Sequence, residues 1–164
     1  MSVVWLVGVM GVGKTSAGRL AAERLGVPFA DTDEMVEEAA GSSISAIWRV
    51  RGEEGFRELE ADALARAAER GGLVATGGGA VLSEENRKVM QGLVIWLTAS
   101  PETIASRIDG VGRPLLGAAD VSERMKRVID DRAPFYEMVA THRIATDELD
   151  VTSVADEIVR LVRP

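Results

Sequence analysis

No cysteine occurs among the 164 residues, which excludes a disulfide, a thiolate nucleophile and any sulfur-built zinc site, and leaves an oxidising compartment without support. Aromatic residues make up only 4% of the chain, so each Trp and Phe stands out. The lone histidine, His142, opens a strand-like run and reads as structural. A basic excess is missing too. The formal net charge of −7 disfavours a nucleic-acid or anionic-membrane surface, since such binding needs a basic patch facing phosphates. The longest apolar runs, such as Val3 to Val7, fall far short of the roughly 20 residues that span a bilayer. No basic segment precedes that run, so it reads as a buried first strand rather than a signal peptide. Together these absences point to the cytoplasm, away from membranes.

What is present suits one compact unit. Apolar residues at 46% and charged residues at 27% form an ordinary globular mixture. The length suffices for one well-buried core and is short for two, so residues 1–164 are expected to form a single domain. Strand-like runs (Val3 to Val7, Pro28 to Ala30, Leu73 to Ala75, Val94 to Leu97, His142 to Ala145) alternate with helix-period segments. Helices are expected over Lys14 to Leu25, Asp33 to Ala40, Glu53 to Arg70, Glu84 to Gln91, Pro101 to Ile108, Val121 to Val139 and Val154 to Val162. Ser83, Pro101 and Ser153 are the expected helix starts. This alternation predicts an α/β fold, a parallel sheet covered by helices on both faces. The one long irregular stretch, Asp109 to Asp120, reads as a lid.

Several clusters carry chemistry. Gly8 to Thr15 matches G-x-x-x-x-G-K-[ST], with an apolar strand before it and a helical pattern after it, the setting of a phosphate-binding loop. Backbone N–H groups and the helix N-terminus would cradle a nucleotide's phosphates, Lys14 would bridge the β- and γ-phosphates, and the Thr15 hydroxyl would ligate Mg²⁺. Asp31-Thr32-Asp33 follows a strand end, where α/β sheets bind ligands. The spacing places both carboxylates on one side of an extended segment, one for magnesium through its water shell and one for a substrate hydroxyl, with helix capping as the plain alternative. The Gly77-Gly78-Gly79 run allows unusual backbone angles, close ligand approach and free N–H groups for an anion, or is a flexible loop. Arg57, Arg113 and Arg132 are candidates for gathering an anion onto an acidic protein.

These motifs, with Gly52-Glu53-Glu54-Gly55-Phe56-Arg57, Glu60, Arg113-Pro114-Leu115-Leu116 and Arg132-Ala133-Pro134-Phe135-Tyr136, resemble the shikimate kinase family, in the nucleoside-monophosphate-kinase branch of P-loop proteins, nearly end to end. The resemblance implies a three-layer P-loop kinase fold with a five-stranded parallel sheet of order 2-3-1-4-5, a short lid over about 109–120 and a substrate-binding helical segment over about 33–61. It implies transfer of the ATP γ-phosphate to the 3-hydroxyl of shikimate, giving shikimate 3-phosphate for aromatic amino-acid synthesis. By the same resemblance, Lys14, Asp33 and Arg113 are catalytic, and Asp33 meets the reacting hydroxyl. ATP falls to Gly11, Val12, Gly13, Lys14, Thr15, Ser16, Arg107 and Arg113, with Arg107 packing on adenine. Shikimate falls to Asp33, Arg57, Gly78, Gly79 and Arg132, with Glu60 steadying Arg57 and Trp48, Phe56 and Leu115 lining the pocket. Magnesium falls to Thr15 and Asp31. Trp48 stands where the family often has Phe, and the loop 146–150 beside adenine carries no Pro.

Other readings differ by checkable features. A gluconate kinase shares the P-loop and sheet but needs neither the arginine pair nor the triple glycine. A GTPase would carry a guanine-reading Asn/Thr-Lys-x-Asp motif, and none occurs. A silent binding module would lack the Lys, Asp or Arg. ATP and shikimate are thus the expected partners of a monomer.

Overall fold

The computed structural model describes residues 2–109 and 118–163. Five strands, β1 (Val4–Val7), β2 (Phe29–Asp31), β3 (Leu73–Ala75), β4 (Leu93–Thr98) and β5 (His142–Ala145), form one sheet in the order β2-β3-β1-β4-β5. Every pairing is parallel; Trp5 of β1, for example, lies between Val74 and Val94. The central strands β1 and β3 are buried along their whole length, as helices on both faces of a parallel sheet require. That burial explains their unbroken apolar runs. Trp5, Leu6, Val7, Leu73, Ile95 and Leu97 are among the largest fully buried side chains of the core.

The helices are α1 (Lys14–Leu25), α2 (Thr32–Ala40), α3 (Ile44–Arg70), α4 (Glu84–Val89), α5 (Pro101–Asp109), α6 (Ala118–Val139) and α7 (Val151–Val162), with a 3₁₀ turn at Ala80–Leu82. α1 packs beside α7, α2 against α3, and α5 against α6. Because the strands all run one way, their C-terminal ends deliver Gly8, Thr32, Thr76 and Thr146 to a single edge. His142 begins β5 at the opposite edge, where its Nδ1 lies 3.1 Å from the Thr141 hydroxyl.

Three local expectations change. Residues 44–51, left unassigned by the pattern, are helical: the Ser43 hydroxyl accepts from Ala46 N–H as an N-cap, and Gly52 at φ 69° and ψ −171° kinks this segment against Glu53 to Arg70. Helix α7 starts at Val151 rather than Val154, because Asp150, not Ser153, is the cap; its carboxylate accepts from Ser153 N–H at 2.7 Å. The irregular stretch expected over Asp109 to Asp120 is helical at both its ends, since Asp109 ends α5 and Ala118 begins α6. Residues 110–117, with Arg113 and Leu115, lie outside the described residues.

Candidate active site

The turn after β1 is a cradle for an anion. Gly8 (φ 146°) passes so close to β4 that a methyl group on it would lie 2.5 Å from the Leu97 carbonyl, and Gly13 (φ 95°) caps α1 in the left-handed region. Among the described residues no side chain caps α1, and no acidic residue sits in its first turn, so its N–H groups and positive dipole end face the cradle. Lys14 folds back over the loop and donates to the Gly8 and Val9 carbonyls at 2.7 and 3.0 Å. Burial lowers its ammonium to about 8, against the pull of the Asp33 and Asp31 carboxylates. Phosphate oxygens would supply the counter-charge that burial withholds.

β2 brings Asp31 to this mouth. Its Oδ1 caps α2 by accepting from Asp33 and Glu34 N–H groups at 2.9 and 3.4 Å, and its Oδ2 accepts from the Thr15 hydroxyl at 2.5 Å. The two carboxylates do not share an extended segment as the spacing suggested: Asp31 is the cap and Asp33 already lies in the first turn of α2. Burial, reinforced by the Asp31 carboxylate, raises Asp33 above the usual carboxylate range against the pull of Lys14. A carboxylate so placed is a stronger base than a solvated one. The Thr15 and Asp31 oxygens are hard donors suited to magnesium. No group of three or more acidic or His side chains could hold a metal among the described residues, so a divalent ion here would share ligands with phosphate and water, as Mg²⁺ commonly does.

The turn after β3 joins these parts. A methyl group on Gly77 would lie 2.7 Å from Asp33 Oδ1 and 3.1 Å from Glu60 Oε1; one on Gly78, 3.1 Å from Arg132 Nη1 and 3.4 Å from Met10 N; one on Gly79, 2.9 Å from Arg57 Nη2. None of the three has positive φ. Positive φ is thus not what the glycines supply; they leave room, each omitted side chain making way for charged groups, two carboxylates at Gly77 and one guanidinium each at Gly78 and Gly79. Gly78 and Gly79 N–H have no acceptor among the described residues, and both residues are half-buried.

Arg57 donates to Glu60 Oε2 at 2.8 Å, and the Glu60 side chain is only 1% exposed. Burial raises the Glu60 pKa, opposed by its hydrogen bond to Arg57. Trp48 stacks on Phe56 at 5.4 Å, and the Arg57 guanidinium lies 5.9 and 5.3 Å from those two rings. At 39% exposure Trp48 belongs to this rim rather than to the core. Arg132 on α6 has no carboxylate partner among the described residues.

Beyond the loop lies a cleft of about 410 Å³ lined by Val12, Gly13, Ser16, Arg107, Leu149 and Val154, among others. Arg107 donates to the Thr146 carbonyl at 2.8 Å and its hydroxyl at 3.1 Å, which ties α5 to the turn after β5. The sequence placed the loop 146–150 beside adenine without giving Thr146 or Leu149 a contact of its own, and gave Thr32 and Tyr136 no role beyond their motifs. Tyr136 is the only tyrosine and stands four residues after Arg132, a helical spacing that was the available signal.

An anion cradle with its lysine, a carboxylate of raised pKa beside it and the Arg57 and Arg132 guanidinium groups across the mouth fit a P-loop kinase for a small anionic acceptor. The family model described as Shikimate kinase matches residues 10–163. The shikimate kinase of Symbiobacterium thermophilum is 49% identical over 164 residues, covering 96% of this chain and 94% of that protein. That of Legionella pneumophila strain Corby is 39% identical over 161 residues, covering 96% and 92%. Among solved structures, the shikimate kinase from Acinetobacter baumannii in complex with shikimate superposes with a TM-score of 0.88 at 35% identity over 99% of this chain and 93% of that one. The Bacteroides thetaiotaomicron shikimate kinase gives 0.89 at 30% identity over 99% of both chains. This chain belongs to the shikimate kinase family, and is an ATP-dependent kinase that phosphorylates shikimate.

Proposed function

We propose that the reaction places the ATP γ-phosphoryl group on the 3-hydroxyl of shikimate, and that the residues converging on Gly77–Gly79 do this work. The observation that carries the reading is that one loop leaves room for Asp33, Arg132 and Arg57 and runs beside the Met10 backbone of the phosphate cradle. Arg57 and Arg132 bind the acceptor's carboxylate, joined by the Gly78 and Gly79 N–H groups. Asp33 orients the hydroxyl and takes its proton as the new O–P bond forms and the bond to the ADP oxygen breaks. Lys14 swings from the Gly8 and Val9 carbonyls to the β- and γ-phosphates, with Gly11, Val12, Gly13, Thr15 and Ser16 holding the rest of the chain of phosphates. Mg²⁺, held by Thr15 and Asp31, would neutralise phosphate charge and align the transferred group. Glu60 holds Arg57, Trp48 and Phe56 wall the pocket, and Arg107 with the 146–150 turn flanks adenine. Arg113 and Leu115 keep the roles that the family resemblance gives them.

We further propose one domain over 1–164, acting as a cytoplasmic monomer without nucleic-acid or membrane partners. The absence of any described helix long and apolar enough to cross a membrane and the net charge of −7 support this. ADP release in a coupled assay with Mg²⁺ and ATP tests the reading. Release that requires shikimate and not gluconate supports it; release with gluconate alone, or with no acceptor added, contradicts it.

A further inference from the structure

Two uncharged side chains fasten the Gly77–Gly79 loop. The fully buried Thr32 accepts from Gly77 N–H through Oγ1 at 2.9 Å. From the other side, the Tyr136 hydroxyl donates to the Gly78 carbonyl at 2.6 Å. Tyr136 is itself held, being buried and stacked on Trp96 with ring centres 5.5 Å apart. The Gly78 carbonyl and the Gly79 N–H belong to one planar peptide and point opposite ways when it is trans. A hydroxyl that keeps the carbonyl turned to α6 therefore turns the N–H away from α6. Hydrogen bonding at the oxygen also polarises the peptide and strengthens that N–H as a donor. Arg132, one turn before Tyr136 on the same helix, lies against Gly78, so one helical face sets both the guanidinium and the peptide. Burial pushes the Tyr136 phenol up to about 12, which keeps it a neutral donor at working pH.

We propose that Tyr136 is a positioning residue for the acceptor: its hydroxyl fixes the Gly78–Gly79 peptide so that the Gly79 N–H and Arg132 meet the acceptor's carboxylate together, with Thr32 as the second fastening. This rests on the reading of Arg132 and the loop as shikimate anchors, and the test separates the two.

In the full chain, Tyr136→Phe keeps the ring and its stack and removes only the hydroxyl. The shikimate KM should rise about tenfold, with the ATP KM changed by less than about twofold and the melting temperature by no more than about 4 °C. Thr32→Val should act likewise, whereas Thr32→Ser should keep the parent KM. Combined with Arg132→Ala, Tyr136→Phe should add less than its separate factor, since both act on one carboxylate. A normal shikimate KM in Tyr136→Phe, alongside a raised one in Arg132→Ala, overturns the positioning role and leaves the site intact. A normal shikimate KM in Arg132→Ala removes the site reading and the proposal with it. Equal rises in both KM values for Tyr136→Phe also overturn the proposal, marking general damage.

Discussion

The buried Glu60 makes Arg57 answerable for two quantities at once. Removing a partner from a buried pair leaves an uncompensated charge, so Arg57→Ala should lose about 3 kcal/mol of stability at neutral pH as well as shikimate affinity. Arg57 is the main influence holding the Glu60 pKa down against burial, so without it that pKa rises further. The folded variant then binds a proton that the unfolded chain has already released, over the window between the ordinary carboxylate value and the raised one. Stability therefore falls as pH rises through that window and returns as pH drops. Denaturant titrations at pH 7 and pH 5 should show the deficit of the variant shrinking at the lower pH; a deficit independent of pH would contradict the pairing. Gly79 gives a cleaner separation. Its φ of −93° suits any residue, so Gly79→Ala should melt within about 4 °C of the parent. A methyl group 2.9 Å from Arg57 Nη2 should nonetheless weaken shikimate binding in calorimetry, and unchanged affinity would refute the seating of Arg57 on this glycine.

Among the elements, the bent helix α3 shows how local backbone chemistry serves the site. Gly52 sits in a region of φ and ψ open essentially to glycine alone, and the bend is what sets Trp48 against Phe56 and Arg57. Gly52→Ala should cost about 1 to 3 kcal/mol, read from denaturant unfolding, and should raise the shikimate KM; full stability would show that the bend needs no glycine. The sequence pattern revealed the long second half of α3 but not residues 44–51, because Trp48, Arg49, Val50 and Arg51 show no apolar stripe there: Val50 is 78% exposed. The triple glycine was read from its backbone freedom, but positive φ plays no part there. Its lack of side chains matters for where Asp33, Arg132 and Arg57 end up, and those neighbours come from α2, α6 and α3, which no local reading of the loop could supply. The division of Asp31 and Asp33 into helix cap and first-turn carboxylate likewise depends on where α2 begins.

For the molecule as a whole, five parallel strands turn a list of scattered motifs into one edge. The strand positions were legible because buried parallel strands are nearly continuous apolar runs, whereas the order β2-β3-β1-β4-β5 was expected only through the family resemblance. The long-range hydrogen bonds from Thr32, Tyr136 and Arg107 were not legible, since each joins positions separated by at least 39 residues. An acidic chain of net charge −7 thereby concentrates Lys14, Arg57 and Arg132 at one mouth, where two anions must meet. The position of the transferred group tests this arrangement most directly. Phosphorus NMR of the product made from ATP, Mg²⁺ and shikimate should show a single phosphomonoester coupled to the proton on C3. A phosphoryl group on another hydroxyl, or inorganic phosphate alone, would contradict the account.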